Sequence, residues 1–417
     1  MPGEESKNTS TSYLSLYATT FMVGVVVISL GPLLDPMTKD LNIPLAQAGL
    51  ISVAFGVGML AGVVALNFLF ARVPAKWALI GASWLQTVGL VASGTVAKGL
   101  WSMFAACFFV CLGCVFLNSL PGMWVSSHVK VGTHRAMVIL LLFFAIGMAV
   151  TPIFIGVALG LGATWRWVYI VEAVLSALLA ILLTGLPISN ITGRENLTLG
   201  RLRWVVSFSP ALFWAVVVAS VVYIGAEFIL NVWLPKFEID VFAASKTVAS
   251  IAVGLFWAGL IVGRLIVASL TKRYPASRLL MVVMAIMAVF ALGVAVSPSA
   301  DWSMAMAFLS GLGASAGFPL ILGFSGKFPA WHAGVVYSAV VLAGAVGRIV
   351  FPYLIGPIAH SAGFRIAIGL AFVLAAACSL LAFFLHGISG EGAAGEIAAA
   401  AALSGDGEAA GSEAAET

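Results

Sequence analysis

Arg264 and Arg348 interrupt two long apolar stretches of the chain, and a lone carboxylate, Glu227, interrupts a third. A charged side chain in the middle of hydrocarbon costs roughly 2.5–3.5 kcal/mol even on lenient insertion scales, so such a group normally faces a cavity, a counter-charge or a ligand. Tyr223, Glu227 and Asn231 recur at four-residue spacing, which places a phenol, a carboxylate and an amide on one stripe of a helix. That stripe suits a proton carrier or an acceptor for substrate hydroxyls; the competing reading is a structural lock of Glu227 with an arginine. Arg348, between Gly347 and Ile349, is too deep for its stem to snorkel to either surface. It needs an anion: Glu227, a substrate carboxylate, or backbone carbonyls released near Pro352. Arg264 reads equally as a ligand for a small anion or as packing at a gate. Two arginines against one glutamate leave an unmatched positive charge, which favours an anionic ligand. A sugar-like ligand would instead draw on Asn118, Tyr223, Asn231, Trp233, Trp257 and Tyr337, although aromatic rings in membranes also serve as packing and interfacial belts.

The elements that must hold these groups are membrane helices. The chain is 62% hydrophobic and 9% charged, against about 25% charged residues in a soluble domain. Apolar runs of about 20 residues, each long enough to cross roughly 30 Å of hydrocarbon, recur twelve times, from Tyr13–Met37 through Ala211–Lys236 (the seventh) to Ile366–Leu385. Residues 1–12 form a short polar tail without the features of a signal peptide. From about Gly387 the chain is Ala- and Gly-rich, with six acids and no Lys or Arg, and reads as a solvated, disordered tail. Without those acids the formal net charge rises from +4 to +10, as expected of basic loops beside anionic lipid. With the N-terminus inside, twelve Lys and Arg fall in cytoplasmic loops against six outside, so both termini are expected in the cytoplasm.

Sliding the second half onto the first at an offset of about 200 residues brings punctuating residues into register: Gly24 with Gly225, Gly62 with Gly263, Arg72 with Arg273, Pro74 with Pro275, Gly113 with Gly313, Gly147 with Gly347, Pro152 with Pro352 and Gly156 with Gly356. This predicts two six-helix bundles, residues 13–186 and 210–386, joined by a polar cytoplasmic linker at 187–209. Duplicated halves of this kind place a substrate site at mid-membrane on their interface, with rocking of one half on the other giving alternating access. Arg264, Arg348 and Glu227 all fall in the second half, opposite apolar positions of the first, so coupling is expected to be asymmetric.

Twelve spans, the 6+6 repeat and the loop Leu270-Thr271-Lys272-Arg273-Tyr274-Pro275 after Gly263-Arg264 resemble the major facilitator superfamily. Gly62 through Arg72 to Lys76 resembles the same glycine-to-basic signature, with Ala71 where that family usually has aspartate. A narrower likeness, to the fucose:proton symporter and related sugar transporters, rests on Leu45–Ile51, Tyr223-Ile224-Gly225-Ala226-Glu227 and Gly317-Phe318-Pro319. The resemblance implies an all-α membrane protein of two pseudo-symmetric bundles, with Arg72 and Arg273 at gating loops. Pro32 and Phe116 stand where those symporters carry coupling acids, so the likeness does not extend proton coupling to the first half.

The expected protein is therefore a monomeric secondary transporter of the plasma (inner) membrane, moving a small organic anion or sugar-like solute by alternating access, with a proton or other ion as a possible co-substrate. No enzyme activity, cofactor, metal or nucleic-acid partner is expected. Cys107, Cys111 and Cys114 share a helix face but lack a histidine and read as packing; the loop containing His128, Lys130, His134 and Arg135 reads as a cytoplasmic anchor. Asp35 and Glu172 read as gate or surface groups near water. No Gly-rich nucleotide loop is present. A drug exporter, weakly suggested by Gly147, Pro152 and Gly156, and a non-transporting sensor are the alternatives.

Overall fold

The computed structural model describes residues 2–69, 72–128, 133–185, 199–271, 273–328 and 330–391. Helices account for nearly all of them: α1 Pro2–Asp40, α2 Leu45–Leu69, α3 Ala75–Thr95, α4 Leu100–His128, α5 Thr133–Gly160, α6 Trp165–Thr184, α7 Leu199–Phe208, α8 Pro210–Phe242, α9 Lys246–Leu270, α10 Ala276–Ala295, α11 Ala300–Ala314, α12 Gly317–Gly323, α13 Ala330–Ala362 and α14 Phe364–Glu391. In hydrocarbon every backbone N–H and C=O must be satisfied within the protein, and helices do this locally. Eleven helical segments are long and apolar enough to cross a membrane, with α11, α12 and the following 3-10 turn counted as one, Ala300–Lys327. The twelfth expected span is α3, helical over 21 residues. It is less apolar than the other spans, with Ser83, Gln86 and Thr87 on its buried face. The helix of α1 extends back through the segment read as a polar tail, and α7 occupies part of the expected linker. Most of the linker, the 129–132 loop, Lys272 and residues 392–417 lie outside the described residues.

The repeat is visible in the packing. In the first half Gly24 of α1 lies against the Phe144 carbonyl of α5, and Gly147 of α5 lies against the Phe21 carbonyl of α1. In the second half Gly225 of α8 meets Phe351 of α13, and Gly347 of α13 meets the Val221 carbonyl of α8. The same crossing is built twice because a Cβ at any of these positions would strike backbone or a ring. Gly113 of α4 against α3 and Gly313 of α11 against α10 form a second such pair.

Turn geometry repeats as well. Asn42 (φ 51°) and Ala243 (φ 52°) end α1 and α8 in the left-handed region, and Gly162 (φ 90°) and Gly363 (φ 89°) follow α5 and α13. Only Ala243 lacks a side chain suited to that conformation, which costs a residue with a Cβ roughly 1–2 kcal/mol. Ala243→Gly should therefore raise stability by about 0.5–1 kcal/mol after the extra chain entropy of glycine is offset. Thermal unfolding of the purified variant reads the gain.

The halves meet along α2 with α13, α5 with α9, and α1 with α8. One face, carrying the turns after α1, α5 and α8, is closed. There α1 is buried without interruption from Met22 to Asp35 and α8 from Tyr223 to Glu238. Pro235 removes the N–H that would bond the Asn231 carbonyl, and Pro357 does the same for Tyr353; these two oxygens press against Gly31 and Gly49 across the interface. At the opposite face α4 and the α11–α12 run pack within their own halves without an extended contact between them.

Candidate functional site

At mid-membrane, between the halves, lies an enclosed cavity of about 10 Å³, room for a single water. Val27, Leu30 and Gly31 of α1, Ser52 and Phe55 of α2 and Met148 of α5 line it from the first half, and Phe228, Asn231, Val232 and Arg348 from the second. Its walls are apolar except for three groups. Ser52 Oγ, Asn231 Nδ2 and Arg348 Nε are all buried, and none is in hydrogen-bond geometry with a partner among the described residues. All three can donate.

Each polar group is held from behind. Asn231 Oδ1 accepts a bond from Trp257 Nε1 of α9 at 2.6 Å, which fixes the orientation of the amide. Trp257 is steadied by an edge-to-face contact with Phe144 from the other half. The Arg348 guanidinium lies 3.9 Å above the Phe228 ring and directs one terminal nitrogen at the Met59 sulfur of α2, a weak acceptor. No carboxylate lies within ion-pair distance of Arg348 among the described residues. A structural arginine at this depth would be paired; this one is supported by a ring and a thioether, with its Nε unmatched.

Glu227 is buried one turn before Asn231 and is not paired with Arg348 in this conformation. Its Oε2 accepts from the Tyr223 hydroxyl at 2.5 Å, and that hydroxyl is also 2.9 Å from the Ala314 carbonyl. Ala314 ends α11, where the helix breaks before resuming at Gly317. Pro319 lacks the N–H that would bond the Ser315 carbonyl, and Arg264 Nε donates to that oxygen at 3.0 Å. Arg264 thus caps the Ser315 carbonyl, the Tyr223 hydroxyl lies between Glu227 and the Ala314 carbonyl, and Gly317 lies against the Tyr223 ring. Within the small-residue run 310–319, Gly311 and Gly313 allow close packing on α9 and α10, and Gly317 lies at the break.

The structure separates the remaining candidates from the cavity. Asn118 of α4 has an exposed side chain, Tyr337 near the start of α13 is 49% exposed, and neither lines the cavity. Trp233 bonds the Pro352 carbonyl at 2.8 Å and is wholly buried. Arg72 and Arg273 are exposed at the α2–α3 and α9–α10 turns, with equivalent backbone bonds of 2.9 Å to the Leu69 and Leu270 carbonyls. The four cysteines are free and buried, and no cluster able to hold a metal exists among the described residues. One reading needs correction. Glu172 is no surface group: it is 3% exposed, inside the first bundle. Sequence reasoning missed Ser52, Phe55, Met59 and Phe228, because an isolated serine or an apolar residue in an apolar span carries no signal.

Asp35 does act between the halves. Its two carboxylate oxygens hold Lys236 of α8 and Lys39 of α1, each at 2.9 Å, and Lys236 also binds Asp240 at 3.1 Å. Nearby, the Thr247 hydroxyl of α9 donates to the Gly156 carbonyl of α5 at 2.8 Å. These contacts seal the closed face.

A sequence model described as Major Facilitator Superfamily matches residues 16–352 and 240–402. The chain is 23% identical over 382 residues to the "Protein TsgA homolog" of Erwinia tasmaniensis, covering 88% of this chain and 93% of that one. Among solved structures it is similar to the nucleoside transporter NupG, with a TM-score of 0.72 and 16% identity over 91% of this chain and 99% of that one. It is also similar to the transporter FucP in the outward conformation, with a TM-score of 0.63 and 16% identity over 89% and 98% of the two chains.

Proposed function

The chain belongs to the Major Facilitator Superfamily, and on that premise we propose that it is a secondary transporter for a small solute bearing an anionic or acceptor-rich group, an organic carboxylate or a sugar-like acid before a neutral sugar. The observation that carries this reading is the convergence of three unpaired donors, on Ser52, Asn231 and Arg348, into one apolar cavity between the halves. A buried donor without a partner costs about 1–3 kcal/mol. In this conformation the cavity holds no more than a water; once rocking of the halves widens it, a carboxylate bound there would satisfy these donors and match the charge of Arg348. Apolar walls such as Phe55, Met148 and Phe228 would take the solute's carbon skeleton.

With both termini cytoplasmic, as the loop charges favour, the closed face is external and the conformation is closed to the outside. Glu227 and Tyr223 stand one turn from the Asn231 amide and serve as the second-half coupling pair, the carboxyl exchanging a proton as the halves rock. Arg264 holds the break in the tenth span. Arg72 and Arg273 belong to the cytoplasmic turns that re-pair when the transporter opens outward.

A thermal-shift panel of carboxylates, sugar acids and neutral sugars on purified protein tests the reading. A ligand at 100 times its Kd should stabilise the protein by about 2.7 kcal/mol, and carboxylate-bearing compounds should dominate the hits. Stabilisation by neutral sugars alone would reject the anionic substrate.

A further inference from the structure

We propose that Glu172 is a proton-binding site in the first bundle, separate from the solute cavity and linked to it through α1. Hydrogen-bond accounting carries the argument. The Ser29 hydroxyl of α1 lies 2.8 Å from the Val25 carbonyl oxygen and also in hydrogen-bond contact with Glu172 Oε1. One hydroxyl proton shared between two acceptors makes two weakened three-centre bonds. Both contacts are satisfied if Glu172 is a neutral acid: the carboxyl O–H donates to Ser29 Oγ, and Ser29 donates onward to Val25.

The surroundings agree. Glu172 Oε2 is buried without a partner. α6 packs on α3 and α1. From α3 come the Ser83 carbonyl and Gln86 Oε1, which accept from Ser176 one turn along α6; from α4 comes Cys114, whose sulfur accepts from Gln86 Nε2 at 3.1 Å; on α6 itself lies Tyr169, whose hydroxyl has no partner among the described residues. On α1, Asp35 and Lys39 are engaged at the gate, and Asp40 pairs with Arg166 of α6 at 3.0 Å. No cation pairs with Glu172 among the described residues, and an ionised carboxylate in such a place costs several kcal/mol. Glu227, Tyr223 and the Ala314 carbonyl repeat the arrangement in the second bundle: an acid, a hydroxyl and a helix carbonyl in series.

The link to function rests on the transporter reading. Ser29 lies between Val27 and Leu30, which line the cavity, and six residues before Asp35 of the gate. Loss of the proton from Glu172 to water turns Oε1 into an acceptor and draws the Ser29 proton away from Val25. The helix that carries one wall of the cavity and one side of the gate thereby changes its internal bonding.

Infrared difference spectroscopy of the purified protein in lipid tests the proton site without any solute. A titration from mildly acidic to alkaline pH should show the carbonyl band of a protonated carboxylic acid in the wild type. Glu172→Gln should remove one component of that band and Glu227→Gln should leave that component in place. Ser29→Ala keeps the acid but removes its partner, so the same component should shift in frequency; this arm decides the matter should Glu172→Gln fail to fold. A band unchanged by both Glu172→Gln and Ser29→Ala overturns the proposal. Because no solute enters the measurement, that result would leave the transporter reading intact, and a failed solute panel would leave the proton site intact.

Discussion

Replacing Arg348 with methionine should move stability and ligand binding in opposite directions. The protein without ligand should become more stable by about 1 kcal/mol, because a half-buried cation with no ion pair is exchanged for an apolar side chain of similar length. Methionine would keep contact with Phe228 and Met59, which already surround the position. The carboxylate that stabilises the wild type should lose about 100-fold in affinity, or about 2.8 kcal/mol, since truncating one partner of a buried charge pair costs 2–5 kcal/mol. Arg348→Lys should recover little, because lysine presents a point charge where the site offers a planar fork seated on a ring. Arg264→Met should behave differently: the Ser315 carbonyl left open by Pro319 loses its donor, so the loss falls on stability. Unfolding with and without ligand separates the two arginines. Equal destabilisation by both, with ligand response retained, would make Arg348 structural.

The parts of this site that were legible in the sequence are those where chemistry contradicts its surroundings. An arginine or glutamate in hydrocarbon is visible without a structure, and Arg348, Glu227, Tyr223 and Asn231 do cluster near the interface. The paired glycines were legible for a related reason: a helix crossing that admits no Cβ demands glycine at the same register in both halves, as Gly147 and Gly347 show. Partnership was not legible. Glu227 and Arg348 were natural partners on charge alone, but four-residue spacing hands Glu227 to Tyr223, and Pro319 commits Arg264 to a carbonyl. Glu172 was misplaced because two turns from a helix end reads as near water. Depth in this fold is set by what packs around a helix, and α1 and α3 cover that position. The buried acids are spread more evenly than the repeat suggests, one in each bundle, Glu172 and Glu227.

Removing the charge at Asp35 should open the closed face. Asp35 is 2% exposed and Lys236 9%, so their attraction is little screened by salt and its loss leaves a nearly buried ammonium with only Asp240. Because that second partner remains, the cost to the closed state of Asp35→Asn is about 2 kcal/mol, below the 3–5 kcal/mol of a fully abandoned buried charge. That corresponds to roughly a 30-fold shift toward the conformation open on this face. Lys236→Met should act similarly, and the double variant should be no worse than either single one, since both remove the same interaction. Spin labels at Leu161→Cys and Val296→Cys, exposed on this face in different halves, report the change as a longer distance, and the four native cysteines are buried away from labelling. An unchanged distance in both single variants would mean that the backbone contacts hold this face without the ion pair. Gly31→Ala then becomes the decisive variant, because its methyl group would strike the carbonyl of Asn231 that Pro235 leaves unbonded.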